Sequence, residues 1–481
     1  MINKMIQDLE KIIKINKDKI FYKVDDKYLT YNDLWIKAKE LSKSLNNQGN
    51  EPVLIYGDKS VEMIISIVAC LISKRTYIPI GLCTPLQRVE LISKLTNSKL
   101  LINNTNNNLN LSIETLNIKE LNTKYFSLES KNNNNNNNNI AYMIFTSGST
   151  GNPKGVPISY ENLENFIKWI SNFEVLKDYK NINVLNQASF SFDLSVADLY
   201  YSLFNGHTLI GLNKNTQDDL SSVLKAIKTN QINLMVITPT FIKFLLLNSN
   251  FNQENYPNLK CIYFCGEILE KTTVIKIKER FKNVKIINAY GPTEATSAVS
   301  AVLITDKMLS NEYLPIGKKE TSAVNIEIIN DEIVLKGKSV FSGYLNIESN
   351  KCYKENNINC FKTNDLGYYN NEYLYCKGRI DNQIKYSGYR IELGDIENNL
   401  LKIDSVNEAV VIAKKNDKNI VKFLKAYITI NKKIETSDIK IELSKLIPEY
   451  MIPKTITILD KIPTNNNGKY DRKKLEELQW K

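Results

Sequence analysis

The sequence predicts an α/β protein: a large N-terminal domain of two helix-flanked, mainly parallel sheets plus a small β-barrel, then a smaller C-terminal α+β domain. Three observations predict this fold. Short apolar runs alternate with helical patterns from about 50 to 290, short alternating strands follow from 313 to 376, and strands and helices mix after 381. Strands separated by helices form largely parallel sheets.

The apolar runs of the first region each end at glycine, proline or a hydroxyl residue, where a chain turns at a sheet edge. They are "EPVLIYG", "AYMIFTS", "INLMVITP", "LKCIYFCGE" and "VKIINAYGP". Helical patterns such as "SVEMIISIVACLIS" and "DLSSVLKAIKTN" separate them. Functional loops of such sheets lie beyond the carboxyl ends of the strands.

The later regions have a different pattern. "NIEIIND", "EIVLKG" and "EYLYCKG" are short strands that predict the β-barrel. After "GRID" (378–381), a separate unit of strands and helices begins. We therefore predict an N-terminal domain at 1–380 and a C-terminal domain at 381–481.

Composition excludes several classes of partner. The net charge is +11, but the lysines are spread thinly and do not interleave with aromatic residues, so we expect no nucleic-acid partner. The longest apolar run, 63–72, is too short to span a bilayer. The N-terminus has Met5, Leu9, Ile12 and Ile13 on one helical face, which predicts a packing helix and not a signal peptide.

Cysteine and histidine usage argues against metal clusters, disulfides and histidine-based catalysis. The seven cysteines contain no CxxC pair, which argues against a metal cluster or a disulfide framework and favours a reducing compartment. His207 is the single histidine, so histidine-based nucleophilic catalysis is not expected, and we interpret His207 as a turn residue. We expect a cytoplasmic protein.

The stretch "AYMIFTSGSTGNPKGVP" (141–157) contains four hydroxyl residues, three glycines and Lys154 after an apolar run. Glycines let backbone N–H groups converge on an anion, and hydroxyls add donors, so the stretch predicts a phosphate-binding loop. A hydroxyl-rich turn is the alternative. The Walker A spacing is absent, because Pro153 precedes the lysine and Gly155 follows it.

This loop resembles the signature loop of the adenylate-forming superfamily, and the other motifs of that superfamily follow in order over nearly the whole chain. They are "FSFDLSVADLY" (190–200), "NAYGPTEAT" (288–296), "LPIG" (314–317), "FKTNDLG" (361–367), "GRIDNQIKYSGYRIELGDIE" (378–397), "LIPEYMIP" (446–453) and "NNNGKYDR" (465–472). The resemblance implies a reaction in which a carboxylate attacks ATP to give an acyl-adenylate and pyrophosphate. A thiol then takes the acyl group.

The resemblance also implies residue roles. Lys469, Thr293 and Glu294 match the catalytic residues, with Lys469 bridging the carboxylate and the α-phosphate and Glu294 binding Mg²⁺. Asp381 matches the hinge of a mobile C-terminal domain, and Gly388 the tunnel for the thiol arm. The ATP-binding residues implied are Thr146, Ser147, Gly148, Ser149, Thr150, Gly151, Lys154, Asn288, Ala289, Tyr290, Gly291, Pro292, Thr293, Asp365, Lys377, Gly378, Arg379 and Lys469.

Asp193, in "FDLSV", matches the aspartate that binds the α-ammonium in amino-acid-activating members. A buried carboxylate is costly without a cationic partner, which favours an amino-acid substrate over a fatty acid. Asp193, Leu194, Ala197, Cys265, Ser297 and Lys469 are the implied substrate residues, and Thr240, Tyr263, Ala289 and Ala298 are expected beside them. The absence of a second charge argues against an acidic or basic side chain.

"FSFDLSVADLY" and "YFCGEIL" are similar to the D-alanine–carrier protein ligase branch, in which a cysteine before "GE" selects a small D-amino acid. Cys265 occupies the position of that cysteine before "GE". Ala197 stands where that branch has a larger apolar residue, so the pocket is expected to be wider. We favour D-alanine, which implies a role in D-alanylation of teichoic and lipoteichoic acids. A free-standing peptide-synthetase-type enzyme for another neutral amino acid stays open, as does a catalytically silent binding protein.

The chain ends ten residues after Asp471, which leaves no room for a carrier domain, so we expect a phosphopantetheinylated carrier protein in trans. We also expect a monomer. Two positions depart from the superfamily pattern. Asn364 replaces a glycine before Asp365, and we expect the turn to survive because asparagine tolerates left-handed angles. "SKR" at 73–75 replaces "KAG", which we interpret as structural drift.

Overall fold

The computed structural model describes residues 2–118, 139–148, 151–381, 383–386, 388–415, 421–464 and 470–478. The chain divides into two compact units. The first unit comprises Met1–Gly81, Ser93–Ile144 and Gly155–Ile380, and the second comprises Leu82–Ile92, Phe145–Lys154 and Asp381–Lys481. The units differ from the domains predicted from the sequence, because 82–92 and 145–154 belong to the second unit. The predicted domain boundaries remain a prediction.

The described strands are numbered in chain order. They are β1 (Ile20–Val24), β2 (Lys27–Thr30), β3 (Val53–Tyr56), β4 (Tyr77–Ile80), β5 (Leu100–Asn103), β6 (Glu114–Asn117), β7 (Ile140–Thr146), β8 (Lys154–Ser159), β9 (Asn183–Asn186), β10 (Thr208–Gly211), β11 (Leu234–Ile237), β12 (Cys261–Phe264), β13 (Lys285–Tyr290), β14 (Ser300–Leu303), β15 (Gly317–Lys318), β16 (Asn325–Ile329), β17 (Glu332–Lys336), β18 (Cys352–Glu355), β19 (Ile358–Asn370), β20 (Tyr373–Arg379), β21 (Gln383–Tyr386), β22 (Tyr389–Glu392), β23 (Val406–Lys415), β24 (Val421–Ile430) and β25 (Thr455–Ile458).

The described α-helices are numbered in the same way. They are α1 (Ile2–Ile15), α2 (Tyr31–Asn46), α3 (Val61–Ile72), α4 (Leu86–Thr96), α5 (Tyr160–Ser171), α6 (Leu194–Asn205), α7 (Lys214–Asp218), α8 (Leu220–Thr229), α9 (Pro239–Leu245), α10 (Lys271–Arg280), α11 (Leu393–Leu400), α12 (Thr436–Ser444) and α13 (Arg472–Glu477). Among the residues that the structure describes, no helix combines the length and apolar character needed to cross a bilayer.

Two large sheets form the centre of the first unit. One has the strand order β14-β13-β12-β11-β9-β10-β1-β2 and is parallel except at its edges, where β14 and β2 are antiparallel to their neighbours. The other has the order β6-β5-β3-β4-β7-β8. Helix α3 is buried along nearly its whole length and packs in one apolar core with side chains of both sheets. These helix-flanked, mainly parallel sheets confirm the predicted fold class.

An antiparallel sheet completes the first unit in the stretch where the sequence predicts a β-barrel. Its path is β15-β20-β19-β17-β16, with β18 paired to β19. This sheet matters for function because β19 and β20 place Asp365 directly opposite Arg379.

The second unit has its own core. The hairpin β21–β22 and the sheet β23-β24-β25 pack with α11 and α12 around Ile396, Val411, Ile428 and Ile439, all buried. This mixture of strands and helices is the smaller α+β part that the sequence predicts.

The two departures from the superfamily pattern have structural explanations. Arg75 is fully buried, and its guanidinium donates to the carbonyl of Leu45, near the end of α2, and twice to the carbonyl of Glu51. The residue therefore closes the end of a helix, so "SKR" is more than drift. Asn364 has a left-handed φ of 59°, as expected for a residue that replaces glycine.

Candidate active site

Asp365 is held between two donors in the first unit. The hydroxyl of Tyr290, at the end of β13, donates to its Oδ2 at 2.6 Å, and Arg379 Nη1 donates to its Oδ1 at 2.6 Å. Burial raises the pKa of Tyr290 well above its usual value, and Asp365 raises it further, so the phenol stays protonated and donates. The carboxylate is fixed in orientation and keeps lone pairs for further hydroxyl donors.

Asn288 and Gly291 lie on either side of Tyr290. The amide of Asn288 donates to the carbonyl of Pro315 at 2.8 Å, which joins the predicted "NAYGPTEAT" and "LPIG" motifs. Gly291 is needed for close approach, because a Cβ there would lie 2.5 Å from the Cα of Ala298. The glycine therefore lets the 297–298 backbone pass beside the predicted ATP-binding residues 288–293.

Glu294 lies in a short 3-10 turn, Thr293–Ala295, and is fully buried. Its Oε1 accepts from the hydroxyl of Tyr344 at 2.5 Å. The sequence analysis did not single out Tyr344, since nothing in the local sequence distinguishes it from the other 25 of the 26 tyrosines.

The donor chemistry at Glu294 fits the predicted Mg²⁺, a hard cation that prefers carboxylate oxygen and keeps several water or phosphate ligands. Across the described ranges, no group of three or more His, Cys, Asp or Glu side chains could hold a metal by itself. A magnesium ion at Glu294 would therefore need most of its ligands from nucleotide and water.

Asp193 and Thr293 are in direct contact. Thr293 Oγ1 donates to Asp193 Oδ2 at 2.7 Å, although 100 residues separate them. Asp193 stands at the N-cap of α6 without using its side chain to cap the helix. The helix N-terminus favours negative charge, so this position suits a carboxylate that binds a cation.

Most of the predicted substrate-pocket residues are buried. Leu194, Ala197, Cys265, Ala289, Ser297 and Ala298 are all buried, as is Tyr263. The Sγ of Cys265 lies 3.9 Å from the carbonyl oxygen of Ser297. Thr240 differs, since it is exposed and its hydroxyl donates to Glu267 at 2.9 Å.

The backbone at Ser297 has an uncommon conformation. Thr296 and Ser297 have φ of 62° and 70°, which is left-handed for both. The Ser297 hydroxyl is buried and has no hydrogen-bond partner among the described residues. Strained backbone of this type concentrates at functional sites.

The centre of the predicted phosphate loop, 145–154, belongs to the second unit, and its flanks, 141–144 and 155–157, belong to the first. Ser147 Oγ donates to the carbonyl of Arg390 at 3.0 Å and accepts from the N–H of Glu392 at 2.9 Å. A Cβ at Gly148 would lie 2.0 Å from the carbonyl oxygen of Asn152, so the tight turn requires glycine there. Thr146 ends β7 and Lys154 begins β8, while Ser149 and Thr150 lie outside the described residues.

The other predicted residues are placed as follows. Lys377 and Gly378 lie in β20 with Arg379, and the ammonium of Lys377 is 4.5 Å from the ring centroid of Tyr368. In the second unit, the Asp381 carboxylate accepts from the N–H of Gln383 at 3.3 Å, and Gly388 has a φ of 83° between β21 and β22. Lys469 lies outside the described residues.

Within the first unit, the structure thus brings two predicted groups together. Asp193 is bonded to Thr293, which adjoins Glu294, and Tyr290 and Arg379 hold Asp365. The arrangement holds the carboxylates of Asp193, Glu294 and Asp365 in fixed orientations by hydrogen bonds from Thr293, Tyr344 and Tyr290.

Comparison with known families agrees with this site. The AMP-binding enzyme family matches residues 9–345, and the AMP-binding enzyme C-terminal domain matches residues 395–469. The first match lies in the predicted N-terminal domain and the second in the predicted C-terminal domain, and the motifs up to "LPIG" (314–317) lie within the first.

Curated relatives cover almost the whole chain. The D-alanine–D-alanyl carrier protein ligase of Listeria monocytogenes serotype 4b is 37% identical over 466 residues, covering 90% of each chain. The enzyme of that name in Bacillus licheniformis is 33% identical and covers 98% of this chain and 99% of its own. The one in Lactococcus lactis is 34% identical and covers 99% of each.

Solved structures confirm the fold. An o-succinylbenzoate CoA synthetase from Bacillus subtilis matches with a TM-score of 0.83 at 21% identity, covering 98% of each chain. The Vibrio cholerae adenylation domain AlmE, solved with glycyl-adenosine-5′-phosphate, matches with a TM-score of 0.82 at 21% identity, covering 98% of this chain and 96% of its own. On the extent of these matches and the identity of the curated relatives, the chain belongs to the AMP-binding enzyme family.

Proposed function

We propose that the protein is an ATP-dependent ligase that activates D-alanine as D-alanyl-AMP and transfers it to the phosphopantetheine thiol of a carrier protein in trans. The observation that carries the proposal is the Asp193 carboxylate, which Thr293 orients at the N-terminus of α6. The other predicted substrate residues Leu194, Ala197, Cys265 and Ser297 are buried and uncharged. An amino acid with a neutral side chain fits this combination of one carboxylate and uncharged residues. The curated ligases supply the expected identity and handedness of that amino acid.

ATP is the nucleotide that this family uses, and the proposal assigns its parts to named residues. Asp365, oriented by Tyr290 and Arg379, would accept from the two ribose hydroxyls. Tyr290 would stack on adenine, with Asn288 near the exocyclic amine. The loop around Thr146–Gly151 with Lys154 would hold the β- and γ-phosphates, because its hydroxyls and backbone N–H groups are anion donors.

The first chemical step joins two anions. A carboxylate oxygen of the amino acid attacks the α-phosphorus, the bond to the β-phosphate breaks, and pyrophosphate leaves. Lys469 would neutralise the developing charge. Thr293 would lie close to the α-phosphate, while its single hydroxyl proton is donated to Asp193. Preorganised positive charge of this type is usually the largest catalytic contribution.

Mg²⁺ bound at Glu294 would add positive charge on the phosphates when present. Tyr344 supports this role, because its hydroxyl bond holds the carboxylate in one orientation. Thr293 and Glu294 are adjacent, so substrate and metal recognition would be linked through one short turn.

In the second step the carrier thiolate attacks the carbonyl carbon of the adenylate, and AMP leaves. We propose that Asp381 is the hinge about which the C-terminal domain, 381–481, rotates between the steps, and that Gly388 lines the path of the thiol arm. A glycine with φ of 83° allows the chain to turn sharply at that point.

We further propose a monomer in the cytoplasm, with teichoic or lipoteichoic acid as the final acceptor of the D-alanyl group. All seven cysteines lie in the described part of the chain and none forms a disulfide, which suits a reducing compartment. The cytoplasm also supplies the ATP that the reaction uses.

Intact-mass analysis of a carrier protein tests the proposal. The full chain is incubated with ATP, Mg²⁺, one amino acid and a carrier in its phosphopantetheinylated or unmodified form. We expect the mass of one alanyl group on the modified carrier alone, with D-alanine preferred over L-alanine and glycine. Loading of a larger neutral amino acid would instead support a peptide-synthetase-type enzyme, and no loading of any amino acid would support a silent binding protein.

A further inference from the structure

Asp193 ends a loop, 187–193, that joins β9 to α6 without regular secondary structure. The loop therefore needs tertiary contacts to hold Asp193 in place. The most unusual of those contacts comes from the other large sheet of the same unit. Lys59, in the segment between β3 and α3, is only 4% exposed.

Lys59 contacts the loop at two points. Its ammonium donates to the carbonyl oxygen of Ala188 and lies 4.7 Å from the ring centroid of Phe190. Ala188 and Phe190 are themselves buried. One cation thus fixes a backbone carbonyl and an aromatic ring five and three residues before Asp193.

Lys59 has a buried counter-charge on the same loop–helix segment. Asp198, on α6, is fully buried, and both its oxygens accept from the Nδ2 of Asn186 at 3.0 Å. Burial lowers the pKa of Lys59 to about 8 and raises the pKa of Asp198 to about 7, while each charge favours the ionised form of the other. Asp58 also favours the charged form of Lys59.

A buried ammonium is a costly way to stabilise a fold, because apolar side chains of similar volume often serve as well. Its benefit is geometric. The ammonium restrains the beginning of the loop, and Asn186 and Asp198 join the end of β9 to the first turns of α6.

We propose that Lys59, with Asp198 as its counter-charge, is a positioning residue for the amino-acid substrate: it holds the 187–193 loop so that Asp193 meets the substrate ammonium. The inference rests on the proposed function for the identity of the substrate. Lys59 does not touch the substrate, so its loss should weaken amino-acid recognition and leave ATP recognition intact.

The test is amino-acid-dependent ATP–pyrophosphate exchange with the full chain and its Lys59→Met and Lys59→Arg variants. A lost hydrogen bond to a charged group predicts about a tenfold rise in the KM for D-alanine in Lys59→Met. The KM for ATP should stay within about twofold, and Lys59→Arg should recover part of the loss. Lys39→Met is the control, since the Lys39 ammonium lies over the ring of Trp35 on an exposed side chain.

A lower melting temperature with both KM values unchanged would overturn the proposal and assign Lys59 to stability alone. Equal rises in both KM values would overturn it too. If Lys59→Met does not fold, Asp198→Asn serves as the second variant. It should raise the KM for D-alanine by the amount expected for Lys59→Met, and unchanged KM values, or equal rises in the KM for D-alanine and for ATP, would contradict the proposal.

Hydrogen exchange separates this inference from the proposed function. We expect faster amide exchange in 187–193 of Lys59→Met than in the unsubstituted protein, whatever the substrate is. Absence of exchange activity with every amino acid in the unsubstituted chain contradicts the proposed function, whereas unchanged protection of the loop contradicts the role of Lys59.

Discussion

At the scale of single residues, the Asp193–Thr293 hydrogen bond links two predicted roles. Thr293 was expected among the catalytic and ATP-binding residues and Asp193 at the substrate ammonium, and Thr293 Oγ1 lies 2.7 Å from Asp193 Oδ2. A threonine hydroxyl donates one proton and accepts at two lone pairs, so it can orient the carboxylate and still accept from another group. One residue thereby connects amino-acid recognition to the predicted site of chemistry.

Thr293→Val should lower kcat/KM for D-alanine about 10- to 100-fold, because the shape is kept while the donor to a charged group is lost. Pyrophosphate exchange at varied D-alanine measures the change. Thr293→Ser, which keeps the hydroxyl, should recover most of the activity. A Thr293→Val protein within twofold of the unsubstituted enzyme would contradict this role.

His207 should make the fold sensitive to acid. The side chain is 1% exposed, neither ring nitrogen has a partner in the described structure, and burial, with Lys180 and Lys19, lowers its pKa to about 4. The unfolded value is about 6.5, so between pH 6.5 and 4 the unfolded chain binds the extra proton. The stability from this residue is therefore complete above pH 6.5 and is lost as the pH falls, by up to about 3 kcal/mol.

Urea unfolding of the unsubstituted chain and of His207→Phe, at pH 7.5 and 4.5, checks this prediction. Phenylalanine keeps a ring against Tyr201, whose centroid is 5.0 Å from that of His207, but cannot take a proton. The unsubstituted chain should lose more stability on acidification than the variant. Equal losses would show that other groups control the acid response.

At the scale of elements, Arg75 shows how a departure from the superfamily pattern is accommodated. Its guanidinium satisfies the Leu45 carbonyl near the end of α2 at 2.9 Å and the Glu51 carbonyl at 2.7 and 3.0 Å. The last carbonyls of a helix lack partners within the helix and favour nearby positive charge. The planar, five-donor group of arginine suits two carbonyls better than the ammonium of lysine would.

Arg75→Met should destabilise the protein by about 2–4 kcal/mol, because the buried Leu45 carbonyl and the part-buried Glu51 carbonyl lose a charged donor. The free energy of unfolding from urea titration measures the loss. Lys17→Met, at an exposed side chain, is the control and should change stability by less than about 0.5 kcal/mol. A similar small effect for Arg75→Met would contradict the capping role.

The elements themselves could be predicted from the sequence where one physical signal dominates. The apolar runs that end at Tyr56, Ile237, Phe264 and Tyr290 are strands, as predicted, because a parallel strand buried on both faces is continuously apolar. Asn364 has the left-handed angle that its place in the motif predicts. Strand formation and the Asn364 backbone angle both depend on residues that are close in sequence, so they could be predicted.

Contacts between distant residues could not be predicted in this way. Tyr344 bonds to Glu294 across 50 residues, Thr293 to Asp193 across 100, and Lys59 to Ala188 across 129. No periodicity or spacing encodes such pairs, since they depend on how strands of two sheets are arranged. The motifs located the candidate site, and the tertiary structure assigned the partners that orient its side chains.

At the scale of the whole molecule, the residues with predicted roles are divided between the two compact units. The first unit contains Asp193, Thr293, Glu294 and Asp365, and the second contains Ser147 and Gly388. Lys469, proposed to neutralise charge in the first step, belongs to the second unit by its place in the chain. The roles of Lys469 and of the Asp381 hinge stay predictions.

The central claim is that a carboxylate at 193 recognises the ammonium of D-alanine during adenylation. ATP–pyrophosphate exchange with D-alanine, measured for the unsubstituted chain and for Asp193→Asn, tests it most directly. Loss of a buried charge pair with the substrate predicts a fall of about 100-fold or more in kcat/KM for D-alanine, with the protein still folded. Exchange with D-alanine that is undiminished in Asp193→Asn would contradict the account.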